Sequence, residues 1–260
     1  MIKIIRDERF SDVNPNFDHF ITTRFGGNSL FEYAESNMGY FCGEKLDVVE
    51  SNRNQLCDIL KISHNRLFVP REVHKNEFTI IDNNFLQLDK ENQERLISCS
   101  DALITNLNKI AIAVSTADCV PVLLVSDNGY CAAIHAGWRG IVSDIIDNVV
   151  LYILGQSEVK TKLTFLVGPC ISCENYEVKE DLVNIFKAHF SKSEMSEILV
   201  KKENDMKINL RKAVNIQLQK YTDSQYIYNL DIDTYSNNNF YSVRRDGQKT
   251  GRFLSGIFLK

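Results

Sequence analysis

The stretch from Lys109 to Gly140, KIAIAVSTADCVPVLLVSDNGYCAAIHAGWRG, constrains the fold more than any other. Lys109–Ser115 is rich in alanine and β-branched residues, and Val120–Ser126 is a second apolar run. Asp127-Asn128-Gly129 is a turn signal, and Tyr130–Ile134 is a third apolar run. Three buried strands are therefore expected in about thirty residues, with reactive side chains only at their ends. Thr116-Ala117-Asp118-Cys119 links the first two, and His135-Ala136-Gly137-Trp138-Arg139-Gly140 follows the third. Polar groups at the ends of buried strands form a site on a rigid scaffold.

The tight turn makes the second and third strands an antiparallel hairpin, which brings Cys119 and His135 to the same end. His74, in the expected extended segment Glu72–Phe78, also sits at a strand end. One cysteine and two histidines give the ligand set of a catalytic zinc site with an open fourth position. The same Cys119 with His135 as its base would also serve a cysteine hydrolase, which leaves His74 unused. Cys131 alternates with Ala133 and His135 along its strand and is the substitute ligand. Among the other histidines, His19 lies within a strand, His64 is solvated, and His189 belongs to the apolar stripe of a helix over Lys179–Phe190. Cys170-Ile171-Ser172-Cys173 has redox-pair spacing but lacks the second pair a structural zinc site needs.

The rest of the chain reads as support. Asp18–Thr23 is a strand ending in Arg24-Phe25-Gly26-Gly27, a tight turn that could offer an arginine to an anion. Asp47–Leu60 is an amphipathic helix with Val49, Asn52, Leu56, Ile59 and Leu60 as its stripe, and Arg53 reads as a surface residue on it. Phe85–Cys99 reads as a polar linker. One continuous helix follows Gly140, with Ile141, Ile145, Val149 and Ile153 repeating every four residues. Further helices are expected over Lys179–Phe190 and Leu210–Tyr221, and strands at Leu163–Val167, Phe240–Val243 and Phe253–Leu259. No Gly-, Pro- or Ser-rich linker divides the 260 residues, so residues 1–260 read as one α/β domain of mixed β-sheets flanked by helices.

Composition limits the function classes. A net charge of −4 gives no basic footprint for nucleic acid or an anionic membrane. The first residues lack a signal-peptide core, and no apolar run is long enough to span a bilayer. Seven scattered cysteines fit a reducing, cytoplasmic setting better than a disulfide framework.

Six motifs together carry a resemblance. They are Thr22-Thr23-Arg24-Phe25-Gly26-Gly27, Arg71-Glu72-Val73-His74, Ser100-Asp101-Ala102, Thr116-Ala117-Asp118-Cys119, His135 to Gly140, and Tyr241 to Gly247 with Thr250-Gly251-Arg252. In this order and spacing the chain resembles the laccase-domain (YfiH, or polyphenol-oxidase-like) purine nucleoside phosphorylase family. The resemblance covers nearly the whole chain. It implies a layered single domain and a zinc-dependent enzyme. That enzyme would phosphorolyse adenosine, inosine, guanosine and methylthioadenosine, and deaminate adenosine. It implies His74, Cys119 and His135 as metal ligands, and Arg24, Asn37, Arg53 and Arg139 as residues lining the substrate site. Asp118 is the carboxylate expected to carry protons, by its adjacency to Cys119. The alternatives are the cysteine hydrolase or a cell-wall editing factor, a copper-dependent polyphenol oxidase, and a non-enzymatic binding partner. Copper is a possible substitute metal, although five histidines are too few for several copper centres. The chain departs from the family's usual Gln-Val-His-Gly at Glu72-Val73-His74-Lys75, which puts the loop's shape in question. It has Asp233 where a cysteine usually precedes Thr234.

Overall fold

The architecture is that of a computed structural model, which describes residues 1–202 and 205–260. In chain order the strands are β1 (Ile4–Ile5), β2 (Phe17–Thr22), β3 (Leu67–Phe68), β4 (Phe78–Ile80), β5 (Ala102–Thr105), β6 (Ala111–Thr116), β7 (Val120–Ser126), β8 (Cys131–Ala136), β9 (Leu163–Val167), β10 (Leu199–Lys202), β11 (Asp205–Ile208), β12 (Ile227–Asn229) and β13 (Phe253–Leu259). One mixed sheet has the order β1-β2-β13-β6-β3, and a second β12-β9-β7-β8-β5-β4. β10 and β11 pair as a separate ribbon.

Strict alternation along the strands decides how the layers stack. Leu123 and Val125 of β7 join Ile112 and Val114 of β6 and Phe253 and Ile257 of β13 in a core between the two sheets. Val120, Val122 and Leu124 face the other way, onto helices Ile145–Leu154 and Leu210–Leu218. On the far side of the five-stranded sheet, Phe20, Ala113 and Leu254 pack with Leu56 and Leu60 of helix Leu46–Leu60. The result is helix, sheet, sheet, helix. It also explains why β7 reads as an unbroken apolar run: every one of its residues is buried.

The three-strand reading of residues 109–140 holds. β7 and β8 are antiparallel, with Pro121 opposite His135 and Val120 opposite Ala136. Four other expectations give way. The helix after Gly140 is two helices, Trp138–Val142 and Ile145–Leu154, joined through Asp144 at φ 64°. The Ser143 hydroxyl donates to the Arg139 carbonyl at 2.7 Å, and Gln217 Nε2 donates to the Ile141 carbonyl at 2.8 Å, so the helical ladder ends there. Phe85–Cys99 is not a linker, because helices Asn83–Gln87 and Lys90–Ile97 occupy it. Each is started by an aspartate, Asp82 and Asp89, accepting a backbone N–H. Phe240 and Tyr241 are buried without forming a strand, and Ser242 caps a short helix at Val243–Asp246. Of the extended segment Glu72–Phe78, only Phe78 enters a strand. Helix Glu180–His189 buries Val183 and Phe186, leaving Ile185 40% exposed. No described helix is long and apolar enough to cross a membrane.

Gly256, in the middle of β13, lies between its cross-strand partners Phe20 of β2 and Ala113 of β6 and leaves room for the Phe20 ring. A Cβ there would lie 2.3 Å from Phe20 Cζ and 2.8 Å from Ala113 Cβ. Gly256→Ala should destabilise the fold by roughly 1–3 kcal/mol through overpacking. Urea unfolding should show a lower midpoint with an unchanged slope; an unchanged midpoint would contradict this packing.

Candidate metal centre and active site

Two chain crossings build the site. The link from β3 to β4 and the link from β6 to β7 both pass from one sheet to the other, and they carry His74 and Cys119. β3 runs parallel to β6, so both links leave the five-stranded sheet at the same end. β8 brings His135 to that end from the second sheet. The donor atoms of His74, Cys119 and His135 lie within 4.8 Å of one another, close enough to share one ion. Among the described residues no other group of three His, Cys, Asp or Glu side chains does this. The donor set suits a metal that accepts imidazole and thiolate. The two imidazole rings are perpendicular, with centroids 4.9 Å apart.

The residue that organises the trio is Asp101, which stands fully buried just before β5. Its Oδ1 accepts from His135 Nδ1 at 2.8 Å and from the His74 backbone N–H at 2.9 Å. Its Oδ2 accepts from the N–H groups of Val73 and Lys75. With Nδ1–H committed to Asp101, the Nε2 of His135 is left for a metal. His74 is held at φ 60°, in the left-handed region, by the same carboxylate. This answers the question raised by the missing glycine. The unusual backbone falls on His74, whereas Lys75 is not among the positive-φ residues and its N–H is fixed by Asp101.

Burial disfavours an ionised Asp101, but the hydrogen bond from His135 and the backbone donors outweigh it and hold the carboxyl below its usual range. Burial likewise opposes a Cys119 thiolate, yet the facing His135 and His74 bring this thiol down to about 6. Burial works against an imidazolium at His135, but Cys119 and Asp101 push it up to about 10. Without a metal His135 therefore keeps a proton that a divalent ion would displace. Gly137 closes over it. A Cβ at this position would stand 3.2 Å from Cys119 Sγ and 3.3 Å from His135 Cε1. Cys131, the substitute ligand, sits opposite Val125 at the far end of β8, and its burial among apolar side chains raises its thiol strongly.

The trio opens into a cavity of about 710 Å³. Its lining includes the apolar and aromatic side chains Trp138, Ile171, Tyr176 and Val243, and Tyr40 and Phe41 with Arg53, Arg71 and Arg252. Arg53 is not the surface residue its helix position suggested. It is only 9% exposed, it donates from Nε and Nη2 to the Met38 carbonyl, and it stacks on Tyr40 at 3.8 Å. Burial pulls its guanidinium down from the ordinary arginine value.

Arg24, Asn37 and Arg139 are not among the residues lining this cavity. Arg24 donates to the Ala34 carbonyl and stacks on Tyr241 at 5.0 Å. The N–H of Gly26 in its turn goes to Glu35, not to an anion. Asn37 is buried, bonding Gly39, Glu44 and the Arg252 N–H. Arg139 stacks on Trp138 at 4.1 Å. Asp118 does line the cavity, at φ 103°, with Oδ1 accepting from Thr234 Oγ1 at 2.7 Å and Oδ2 from the Arg244 N–H at 2.7 Å. Asp233, which stands in place of the usual cysteine, accepts from the N–H groups of Ser172 and Tyr235 and from Asn175. It thereby fixes the loop that presents Thr234. Sequence reasoning missed Asp101, Glu72, Arg71 and Arg252 as site residues. Asp101 had one signal, an acidic residue at the mouth of a strand that pairs with the His135 strand.

Two measurements follow from this geometry. Asp101→Asn should lower metal affinity roughly 10–100-fold, read by competition with a chromophoric chelator; wild-type affinity would contradict the role given to Asp101. In metal-free protein, alkylation of Cys119 should rise with pH through a midpoint near 6 and then level, because the thiolate is the reactive form. An ordinary thiol would still be gaining reactivity at about pH 8.5, and that behaviour at Cys119 would contradict the assignment.

Comparison with known proteins agrees over nearly the full length. The chain is 32% identical to a purine nucleoside phosphorylase of Bacteroides thetaiotaomicron, covering 100% of this chain and 99% of that one. It is 32% identical to the adenosine deaminase RL5 of an unknown prokaryotic organism, covering 93% of each. In three dimensions it superposes on the hypothetical protein YfiH of Bacillus licheniformis with a TM-score of 0.85 at 23% identity, over 95% of this chain and 94% of that one. Residues 18–260 match the family model described as multi-copper polyphenol oxidoreductase laccase, and the chain belongs to that family.

Proposed function

We propose that this protein is a zinc-dependent purine nucleoside enzyme. It would phosphorolyse adenosine, inosine, guanosine and methylthioadenosine, and deaminate adenosine. The observation that carries the reading is the His74–Cys119–His135 trio oriented by Asp101 at the base of a cavity. Relatives named purine nucleoside phosphorylase and adenosine deaminase at 32% identity support it. The trio is the part of the site that would hold the ion, and a metal with three protein ligands and an open fourth position supplies a Lewis acid for water or a substrate oxygen.

The chain's own residues supply the rest. In phosphorolysis a phosphate oxygen bonds to the ribose anomeric carbon as the bond to the purine nitrogen breaks, and the purine leaves with a proton. In deamination water adds at C6 and ammonia leaves. Asp118 is the proposed proton carrier. The donors from Thr234 and Arg244 fix its orientation beside Cys119. Trp138, Tyr176 and Ile171 offer a flat apolar wall to a purine ring. Arg24, Asn37 and Arg139 would act by shaping the loops around the cavity, and Arg53 by direct contact. Seven free thiols fit a reducing, cytoplasmic compartment.

One geometric observation favours a second reading. Asp101, His135 and Cys119 are arranged as an acid–base–thiol relay, and the Cys119 thiol is already lowered to about 6. A hydrolase of this kind would work in chelator and would have no use for His74. The copper-oxidase reading finds less support, because the other histidines are engaged elsewhere. His19 accepts the Asp7 N–H, His64 pairs with Asp58, and His189 faces Gln217.

The test is zinc-loaded protein incubated with adenosine, with and without phosphate, and the products resolved by mass. Adenine and ribose 1-phosphate should appear only with phosphate, and inosine in both. Untouched adenosine would overturn the proposal.

A further inference from the structure

We propose that Arg53, Arg71 and Arg252 form a cradle for a phosphate oxyanion at the Gly39–Phe41 end of the cavity. The inference rests on the nucleoside-enzyme reading for its choice of co-substrate, and on the structure for its place.

The three arginines come from distant parts of the chain and meet on three consecutive residues. Arg252 packs against Gly39 so closely that a Cβ there would fall 2.7 Å from its Cγ. Arg53 stacks on Tyr40 at 3.8 Å, and Arg71 on Phe41 at 4.3 Å. All three line the cavity. Stacking fixes the planes of the Arg53 and Arg71 guanidinia, and Arg252 is held instead by its Nη1 donating to the Thr250 and Gly251 carbonyls; the remaining N–H donors of these forks match phosphate geometry.

None of the three forms a salt bridge among the described residues, although the Glu72 carboxylate is close enough to favour the Arg53 charge. Elsewhere, Arg6, Arg9, Arg211 and Arg245 each form a salt bridge with an aspartate. Among the described residues no carboxylate comes within 4.0 Å of Arg53, Arg71 or Arg252. The nearby carboxylate, Glu72, is spent on Ser115. Its Oε1 accepts the Ser115 N–H at 2.6 Å and its Oε2 the Ser115 hydroxyl at 2.9 Å. Arg53 is nine-tenths buried, and the Met38 carbonyl that receives its Nε and Nη2 carries no formal charge. A buried, unpaired cation is costly unless an anion completes it. Phosphate would do so, in the same cavity that the metal trio lines, where phosphorolysis needs its nucleophile.

The phosphate has two chemical sources, free orthophosphate or the phosphate of a nucleotide, and the free ion is the one assigned. Calorimetric titration of zinc-loaded protein at low salt separates them. Arg71 and Arg252 are the test positions because both reach solvent, so the variants are expected to fold. Melting curves and zinc content verify this. Arg71→Ala and Arg252→Ala should each weaken orthophosphate binding roughly tenfold or more. Arg71→Lys should recover part of the loss, and Arg95→Ala, on the exposed helix Lys90–Ile97, should leave binding unchanged. If the cradle serves a nucleotide instead, adenosine 5′-monophosphate will bind more tightly than adenosine, and the two alanine variants will erase the difference. Absence of binding by either phosphate, or equal binding in Arg71→Ala, Arg252→Ala and Arg95→Ala, would overturn the cradle. The titration requires no turnover, so the cradle can fail while the catalytic reading stands, and the reverse.

Discussion

A single buried carboxylate holds this site together. Asp101 accepts three backbone N–H groups from the Val73–Lys75 loop and the Nδ1 proton of His135. Its own backbone is tied down as well, donating to the Glu77 carbonyl and accepting from the His135 N–H. His74, on the link between the sheets, and His135, on the second sheet, are thus referred to one fixed point. A buried carboxylate this well satisfied is stable as an anion; the same group left without its donors would cost several kcal/mol. The arrangement pins the loop that carries His74, with His74 itself in a left-handed conformation.

The rest of the architecture supplies rigidity around that point. Two sheets packed face to face, with helices outside, bury every residue of β7 and β8. The two chain crossings that carry His74 and Cys119 occur at the end where the trio lies, each anchored by a strand on either side. Asp118 repeats the device on a smaller scale, receiving Thr234 and Arg244 and drawing the C-terminal segment against Cys119. The cavity lining combines aromatic side chains with arginines stacked on Tyr40 and Phe41.

Much of this was legible in the sequence. The hairpin that joins Cys119 to His135 followed from two apolar runs and an Asp-Asn-Gly turn, because turn length fixes register. The layered α/β class followed from strand and helix periodicity. The role of Asp101 is not legible in its motif, because four hydrogen bonds from a loop and a facing strand leave no periodic trace. By spacing alone Arg53 reads as a surface residue, because helical spacing records that a position is polar and not that a cavity lies opposite it; the family resemblance places it at the cavity that it lines. The break at Ser143–Asp144 was invisible because the apolar repeat continues in phase across it. Phe240 and Tyr241 read as a strand, although their burial comes from packing against Phe253 and Gly251.

The family model's description speaks of several coppers, whereas this chain assembles one three-ligand group among its described residues. The measurement that separates the readings is X-ray absorption at the zinc edge of protein loaded with one equivalent of zinc. If His74, Cys119 and His135 hold the ion, the spectrum will contain one sulfur at about 2.3 Å and two imidazole nitrogens at about 2.0–2.1 Å. Cys119→Ser will lose the sulfur shell. A zinc spectrum with no sulfur neighbour, or one unchanged by that substitution, would contradict the account.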